Sequence, residues 1–103
     1  MNEINDEQVL KALKYIGDKT LPFNPNISPY PGPTRKEIAD YMEFDHEQWK
    51  NFFIICTPQP QHELLRLLSD HITLTPLGER MLSFAESANK IVSVKEFLST
   101  IQS

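Results

Sequence analysis

The chain has 103 residues, of which 40% are hydrophobic, and its formal net charge is −4. A chain of this length can bury about two-thirds of its unfolded surface in one core, so it needs no disulfide or metal to fold. A single cysteine excludes a disulfide-built scaffold, and no apolar run approaches the roughly 18 residues of a bilayer span. We therefore expect one cytoplasmic domain, residues 1–103, with no membrane partner.

Capping residues mark the first predicted helix. Asn5 and Gln8 stand three positions apart at its start, and Gly17 offers a stop, which predicts a helix over about 6–16. Its apolar residues recur at helical spacing and are Val9, Ala12, Leu13 and Ile16. We expect this face to be buried.

The next segment, residues 20–33, is rich in proline and carries no charged side chain. Five prolines exclude a regular helix and a central strand, and these are Pro22, Pro25, Pro29, Pro31 and Pro33. In one interpretation, apolar residues pin this loop across the core. In the other, the segment is an arm that docks on a partner or on a second subunit, and its binding residues are Phe23, Ile27 and Tyr30.

Two short helices joined by a tight turn are predicted within residues 34–53. Thr34 with Glu37, and Asp45 with Gln48, have the three-residue spacing of reciprocal helix caps. The apolar positions that follow these caps define one shared face and are Ile38, Ala39, Met42, Phe44, Trp49 and Phe52.

This arrangement resembles the helix-turn-helix family, whose buried positions these apolar residues match. Glu43 occupies the turn position where that family usually has glycine, and Trp49 stands where a smaller aliphatic residue is usual. An ordinary αα-hairpin in a small helical domain would carry the same caps and stripes, so both interpretations stay open at this point.

The segment after these helices predicts a small hairpin. Residues 63–68 fit either a short helix or a buried strand, whereas residues 72–74 have the β-branched character of a strand. If both are strands, they form a hairpin with a very tight tip at Ser69, Asp70 and His71. Thr75 and Pro76 then supply the cap and the first position of another helix.

Residues 72–82 are similar to the strand-to-helix junction that follows the wing in winged helix-turn-helix regulators. With the first resemblance, the match covers roughly residues 34–85. It implies a winged helix-turn-helix fold that is mainly α, with about five helices and a small β-hairpin.

An accessory helix is predicted at the C-terminal end, over residues 94–102. Ser93 and Glu96 form a capping box, and the apolar stripe behind it consists of Val94, Phe97, Leu98 and Ile101. A terminal helix of this kind either closes the core or pairs with its mate in a homodimer.

Sequence features of catalysis are not evident. We find no glycine-rich phosphate loop, no nucleophile elbow and no spacing of histidines and Cys56 that matches a zinc site. We therefore expect neither enzymatic activity nor a bound cofactor or metal.

The resemblance implies a DNA-binding transcriptional regulator that acts as a dimer. A helix over about 46–55 would then enter the major groove, and its candidates for contacting base edges are His46, Glu47, Lys50 and Asn51. The candidates for holding phosphates are Thr34, Arg35, Lys36, Arg66 and His71.

A second hypothesis keeps the fold without the DNA. No segment of the chain is a basic arm, although neutralisation of phosphates dominates affinity for nucleic acids. An interaction module that binds a protein, as an adaptor or an inhibitor, fits the acidic helices and the uncharged arm equally well.

Overall fold

The computed structural model describes residues 3–19, 32–68 and 70–102. This described part contains five α-helices, a short 3-10 helix and a two-stranded antiparallel hairpin. In chain order they are α1 (Asp6–Lys19), α2 (Arg35–Met42), α3 (His46–Cys56), the 3-10 helix (Pro60–His62), β1 (Leu65–Leu68), β2 (His71–Leu74), α4 (Pro76–Ala88) and α5 (Val94–Gln102). The predicted fold class is confirmed, because the architecture is mainly α with a hairpin placed as in a winged helix. The proposed arm residues Phe23, Ile27 and Tyr30 lie outside the described residues.

Reciprocal side-chain caps begin α2 and α3, as the spacing predicts. The Glu37 amide donates to the Thr34 hydroxyl, and the Thr34 amide donates to the Glu37 carboxylate, both at 3.1 Å. Asp45 and Gln48 repeat the exchange at 2.8 and 3.0 Å. Each pair satisfies two backbone donors that a helix start leaves without partners, and so fixes where the helix begins.

The turn between α2 and α3 depends on one residue in a left-handed conformation. Glu43 has φ 58° and ψ 38°, and the next amide, that of Phe44, donates back to the Ala39 carbonyl at 2.9 Å. This is the hydrogen bond of a Schellman motif, in which the left-handed position usually belongs to glycine. The helix-turn-helix therefore forms without glycine, at the conformational cost of a side chain in this region.

We expect Glu43→Gly to raise the free energy of unfolding by about 1 kcal/mol, because glycine adopts this conformation without the Cβ penalty. Chemical denaturation measures the change. Glu43→Ala is the control, since it removes the carboxylate and keeps the Cβ. An equal gain in both variants would mean that charge, and not backbone conformation, is responsible.

The predicted end of α1 at residue 16 is wrong, because the helix continues to Lys19. Gly17 has no positive φ and lies instead where α1 approaches the hairpin and α4. A Cβ at this position would stand 3.0 Å from Leu74 Cδ2 and 3.6 Å from Leu82 Cδ1. The glycine therefore permits close packing and does not end the helix.

The hairpin resolves the ambiguity of residues 63–68 in favour of a strand, β1. Leu68 pairs with His71, so two residues connect the strands, and β2 begins one residue earlier than predicted. The Ile72 amide donates to the Pro33 carbonyl at 2.8 Å, and the Arg35 amide donates to the Asp70 carbonyl at 3.0 Å. These bonds tie the start of α2 to the outer edge of β2.

One hydrophobic cluster joins the helices and the hairpin, and α5 packs against it. The side chains of Val94, Phe97 and Leu98 are 6%, 2% and 9% exposed. The apolar stripe of α5 therefore closes the core of its own chain, which is the first of the two roles that its sequence allows. None of the helices in the described part is both long and apolar enough to cross a membrane.

Candidate functional site

A cavity of about 220 Å³ lies between α2, α3 and the hairpin. Apolar side chains form its walls, and one positive and one negative residue stand at its rim. We call it the α3–hairpin groove, and its six residues are Arg35, Trp49, Phe53, Leu67, Asp70 and Ile72. It combines a large apolar surface with few charges, which is the character of a binding pocket.

Local structure places the walls of this groove. Trp49 and Phe53 are one helical turn apart on α3, and their ring centroids are 6.1 Å apart. Leu67 and Ile72 are direct partners in the hairpin register and so lie on the same face of the sheet. Ile72 is fully buried, whereas 54% of the Leu67 side chain is exposed at the mouth of the groove.

The outer face of α3 carries the residues predicted to contact bases. His46, Glu47 and Lys50 are exposed, and Asn51 is half-buried. On the same helix, Ile54 is 63% exposed. This face therefore presents mixed charge and an apolar residue, and not a set of cations.

Only some of the predicted phosphate ligands lie together. Arg35 and Lys36 line a second hollow of about 310 Å³ at the N-termini of α2 and α3. His46, which is predicted to contact bases, and Asp45 line it too. Arg66 neighbours Leu67 on β1, so its side chain points to the opposite face of the hairpin from the groove. The structure thus separates Arg66 from the other cations.

Two further residues that are predicted to hold phosphates already make hydrogen bonds within the fold. The Thr34 hydroxyl accepts from the Glu37 amide and donates to the Glu37 carboxylate, both at 3.1 Å. His71 Nδ1 lies 2.8 Å from the carbonyl oxygen of Gly32. Because a carbonyl can only accept, this nitrogen carries a proton and donates it. Both side chains therefore hold the start of α2 in place.

A carboxylate already occupies the N-terminus of α2, where a phosphate would bind. Hydrogen bonds from the Thr34 amide and hydroxyl lower the pKa of Glu37, so this group is an anion at neutral pH. On α3 the carboxylate belongs to the N-cap residue, Asp45, which accepts from the Gln48 amide. Both helix dipoles are thus matched by the chain's own negative charges.

We expect Glu37→Gln to destabilise the protein at pH 7, and by progressively less as the pH falls below about 4.5, the ordinary pKa of this group. Because the pKa of Glu37 is lower in the folded than in the unfolded protein, its ionised carboxylate stabilises the fold at pH values above the pKa of the unfolded state. The contribution is lost as the pH falls through the folded pKa. Urea denaturation of both proteins between pH 7 and pH 3 measures the difference, and a difference independent of pH would contradict this account.

No pattern in the sequence predicts an aromatic contact that the structure shows between α1 and α2. The rings of Tyr15 and Tyr41 stack with centroids 4.1 Å apart and planes inclined by 13°. The Lys11 ammonium lies 5.6 Å from the centroid of Tyr41. Because Tyr41 is 49% exposed, the contact forms a surface clamp between the two helices and not a part of the groove.

Known proteins give no independent indication of function. No protein-family model, curated protein or solved structure matches this chain. The winged-helix-like arrangement of helices and hairpin describes the fold alone, and function has to be argued from the groove and the charges around it.

Proposed function

We propose that this chain is a protein-interaction module with a winged-helix-like fold. In this proposal the α3–hairpin groove binds a segment of a protein partner through one large apolar side chain. The observation that carries it is the cavity itself, which has two aromatic and two aliphatic walls, and of the aliphatic ones Leu67 is exposed. An adaptor or inhibitor would use such a surface.

The size of the cavity supports a side chain as its ligand. Sites for small molecules and cofactors commonly enclose about 300–1,000 Å³, and this cavity encloses about 220 Å³. Protein interfaces concentrate their affinity in one or a few large side chains that fill pockets of this kind. Arg35 and Asp70 at the rim would pair with an acidic and a basic neighbour of that anchor.

The charges around α2 and α3 also favour a protein over DNA. Glu37 and Asp45 occupy the helix N-termini, and Glu47 is exposed in the first turn of α3. Phosphates approaching this surface would meet three carboxylates. These carboxylates do not disfavour binding of a protein partner, because the charges of that partner can be of either sign. The thiol of Cys56 is buried, and this burial raises its pKa, so it is not a reactive group on this surface.

Selection from a random-peptide library tests the proposal without knowledge of the natural partner. We expect the retained peptides to share one aromatic or large aliphatic residue with an acidic or basic neighbour. Chemical shifts of labelled protein should then change at Trp49, Phe53, Leu67 and Ile72 on addition of such a peptide. Retained peptides that shift only residues outside the groove would contradict the proposal.

DNA binding is the second candidate, and one observation favours it. Arg35, Lys36 and His46 meet around the hollow at the starts of α2 and α3, and Lys50 is exposed nearby on α3. The two cations of this hollow, Arg35 and Lys36, are of the kind that hold phosphates, and Asp45 lines the same hollow.

A mobility-shift assay with genomic fragments separates the two candidates. With the carboxylates in place, we expect no retained fragment at about 50 mM salt, where phosphate contacts are strong. DNA binding would be established instead by retention that weakens steeply with added salt and with Lys50→Ala. Lys14→Ala, on the exposed face of α1, is the control for loss of one surface charge.

A further inference from the structure

The hairpin that lines the α3–hairpin groove has one edge that its own chain occupies. Thr34 forms an antiparallel bridge with His71, and the Ile72 amide donates to the Pro33 carbonyl at 2.8 Å. These contacts cover the outer edge of β2. In the described part of the chain, β1 has β2 as its only neighbouring strand, so the second edge of the hairpin is the outer edge of β1.

The direction of the backbone groups on β1 follows from the hydrogen bonds of its neighbours. The Ile72 amide donates to Pro33, away from β1, so Ile72 and its register partner Leu67 are a pair without mutual hydrogen bonds. The Leu64 carbonyl accepts from the Thr75 amide at 3.1 Å. Because positions an odd number of residues apart face opposite ways in an antiparallel ladder, this bond also directs the amide and carbonyl of Leu67 away from β2.

Leu67 is also the position at which this edge opens to solvent. It is 54% exposed, whereas Leu65, the other residue of β1 with outward backbone groups, is 1% exposed. No hydrogen bond joins the Leu67 amide or carbonyl to another described residue. An unpaired amide and carbonyl beside an apolar groove are the features by which the edge of a sheet binds an extended peptide.

Arg66 gives the same edge a positive charge. Its side chain is exposed on the face of the hairpin opposite the groove, and it forms no salt bridge with another described residue. In a strand added to this edge, the residue opposite Leu67 has its side chain on the groove face, and the residue opposite Arg66 has its side chain on the other face. An apolar residue next to an acidic residue complements both positions.

We propose that the protein partner is bound as an extended segment that adds an antiparallel strand to the outer edge of β1 at Leu67. The proposal rests on the proposed function, because it specifies the conformation of the ligand of the same groove. Antiparallel pairing fits this short open edge, since one residue opposite Leu67 then satisfies both of its backbone groups, whereas a parallel strand bonds through two residues. That one residue is the apolar anchor of the groove, and an acidic residue follows it directly, opposite Arg66.

Peptides with a single N-methyl group test the pairing, because this group removes one backbone donor. The probe is a peptide retained in the library selection, synthesised with the methyl group either at the anchor residue or at the residue after it. The anchor amide donates to the Leu67 carbonyl, and the next amide points away from β1. We expect the first peptide to bind about fivefold more weakly and the second to stay within about twofold of the parent. No loss at the anchor, or equal losses at both positions, would overturn the pairing.

Hydrogen exchange gives a second measurement, on the protein itself. Exchange of the Leu67 amide should slow at least about tenfold when the peptide is saturating. Ile91 is the control, because its amide also has no hydrogen bond to a described residue, and its rate should not change. An unchanged rate at Leu67, with a peptide that shifts the resonances of Trp49 and Phe53, overturns the strand pairing and leaves the proposed function intact. Retained peptides that shift no residue of the groove overturn both.

Charge reversal at Arg66 tests the register of the added strand. We expect Arg66→Glu to weaken binding of a peptide with an acidic residue directly after its anchor by about fivefold. Lys14→Glu, on the exposed face of α1, reverses a charge elsewhere and should leave the affinity unchanged. Equal affinities for Arg66→Glu and the natural sequence would overturn the register. Exchange at Leu67 that slows with protein concentration in the absence of peptide would place a second copy on this edge and overturn the proposal.

Discussion

Phe52→Ala is expected to lower the free energy of unfolding by about 3–5 kcal/mol, a large share of the stability of a domain of this size. Phe52 is fully buried on α3. Its ring lies 5.8 Å from those of both Phe44 and Trp49, measured between centroids. Truncation therefore leaves a cavity at the centre of the helix-turn-helix, and two neighbouring rings lose their packing partner.

Urea denaturation of Phe52→Ala measures this loss. Ile54→Ala is a close control, because it truncates an apolar residue two positions further along α3 that is 63% exposed. We expect that change to cost less than about 0.5 kcal/mol. A loss below about 1 kcal/mol for Phe52→Ala would mean that the aromatic cluster is not the centre of the core.

Gly78→Ala is expected to destabilise the protein by about 1–3 kcal/mol, although alanine is the better helix former by about 1 kcal/mol. Gly78 lies in the first turn of α4, and an added Cβ would stand 2.5 Å from the Leu64 carbonyl oxygen and 2.6 Å from Leu74 Cδ1. The Leu64 carbonyl cannot yield freely, because it accepts a hydrogen bond from the Thr75 amide at 3.1 Å. The hairpin and α4 would have to separate.

Gly17→Ala provides the comparison for this result. An added Cβ there would meet only side-chain ends, with the nearest, Leu74 Cδ2, at 3.0 Å. Because such atoms can shift, the gain in helix propensity offsets the crowding, and we expect a change within about 1 kcal/mol of zero. Thermal or urea denaturation of the two variants decides the point. Equal stability changes would show that backbone contact at Gly78 does not limit the packing.

The elements that could be predicted from sequence are those specified by local signals. The starts of α2, α3 and α4 follow from caps at Thr34, Asp45 and Thr75, each of which contacts a backbone amide three residues on. A cap of this kind involves neighbours in the chain, so its spacing is visible in the sequence. The end of α1 is not predictable in this way, because Gly17 makes room for Leu74 and Leu82 and does not end the helix. Both of these residues are remote from Gly17 in the sequence.

The α3–hairpin groove was not predicted, although the region that contains it was. Its walls come from α3 and from the hairpin, and their contact depends on the tertiary arrangement. Leu67 shows why the residues alone could not reveal it. In the run 64–68 every leucine has the same character, yet Leu65 is 1% and Leu67 54% exposed. The cationic candidates at Arg35, Lys36 and Arg66 were visible as residue types, but their placement on two faces was not.

Calorimetric titration of a peptide retained in the library selection tests the central claim most directly, when the protein is compared with Leu67→Asp and Ile91→Asp. Leu67 and Ile91 are each 54% exposed, so the two changes place the same charge on equally accessible apolar positions. Only Leu67 lies in the groove. We predict that Leu67→Asp weakens binding at least about tenfold, as expected for a change beside an anchor pocket, and that Ile91→Asp leaves it unchanged. Unchanged affinity in Leu67→Asp, or equal losses in both variants, would contradict the claim that this groove binds a protein partner.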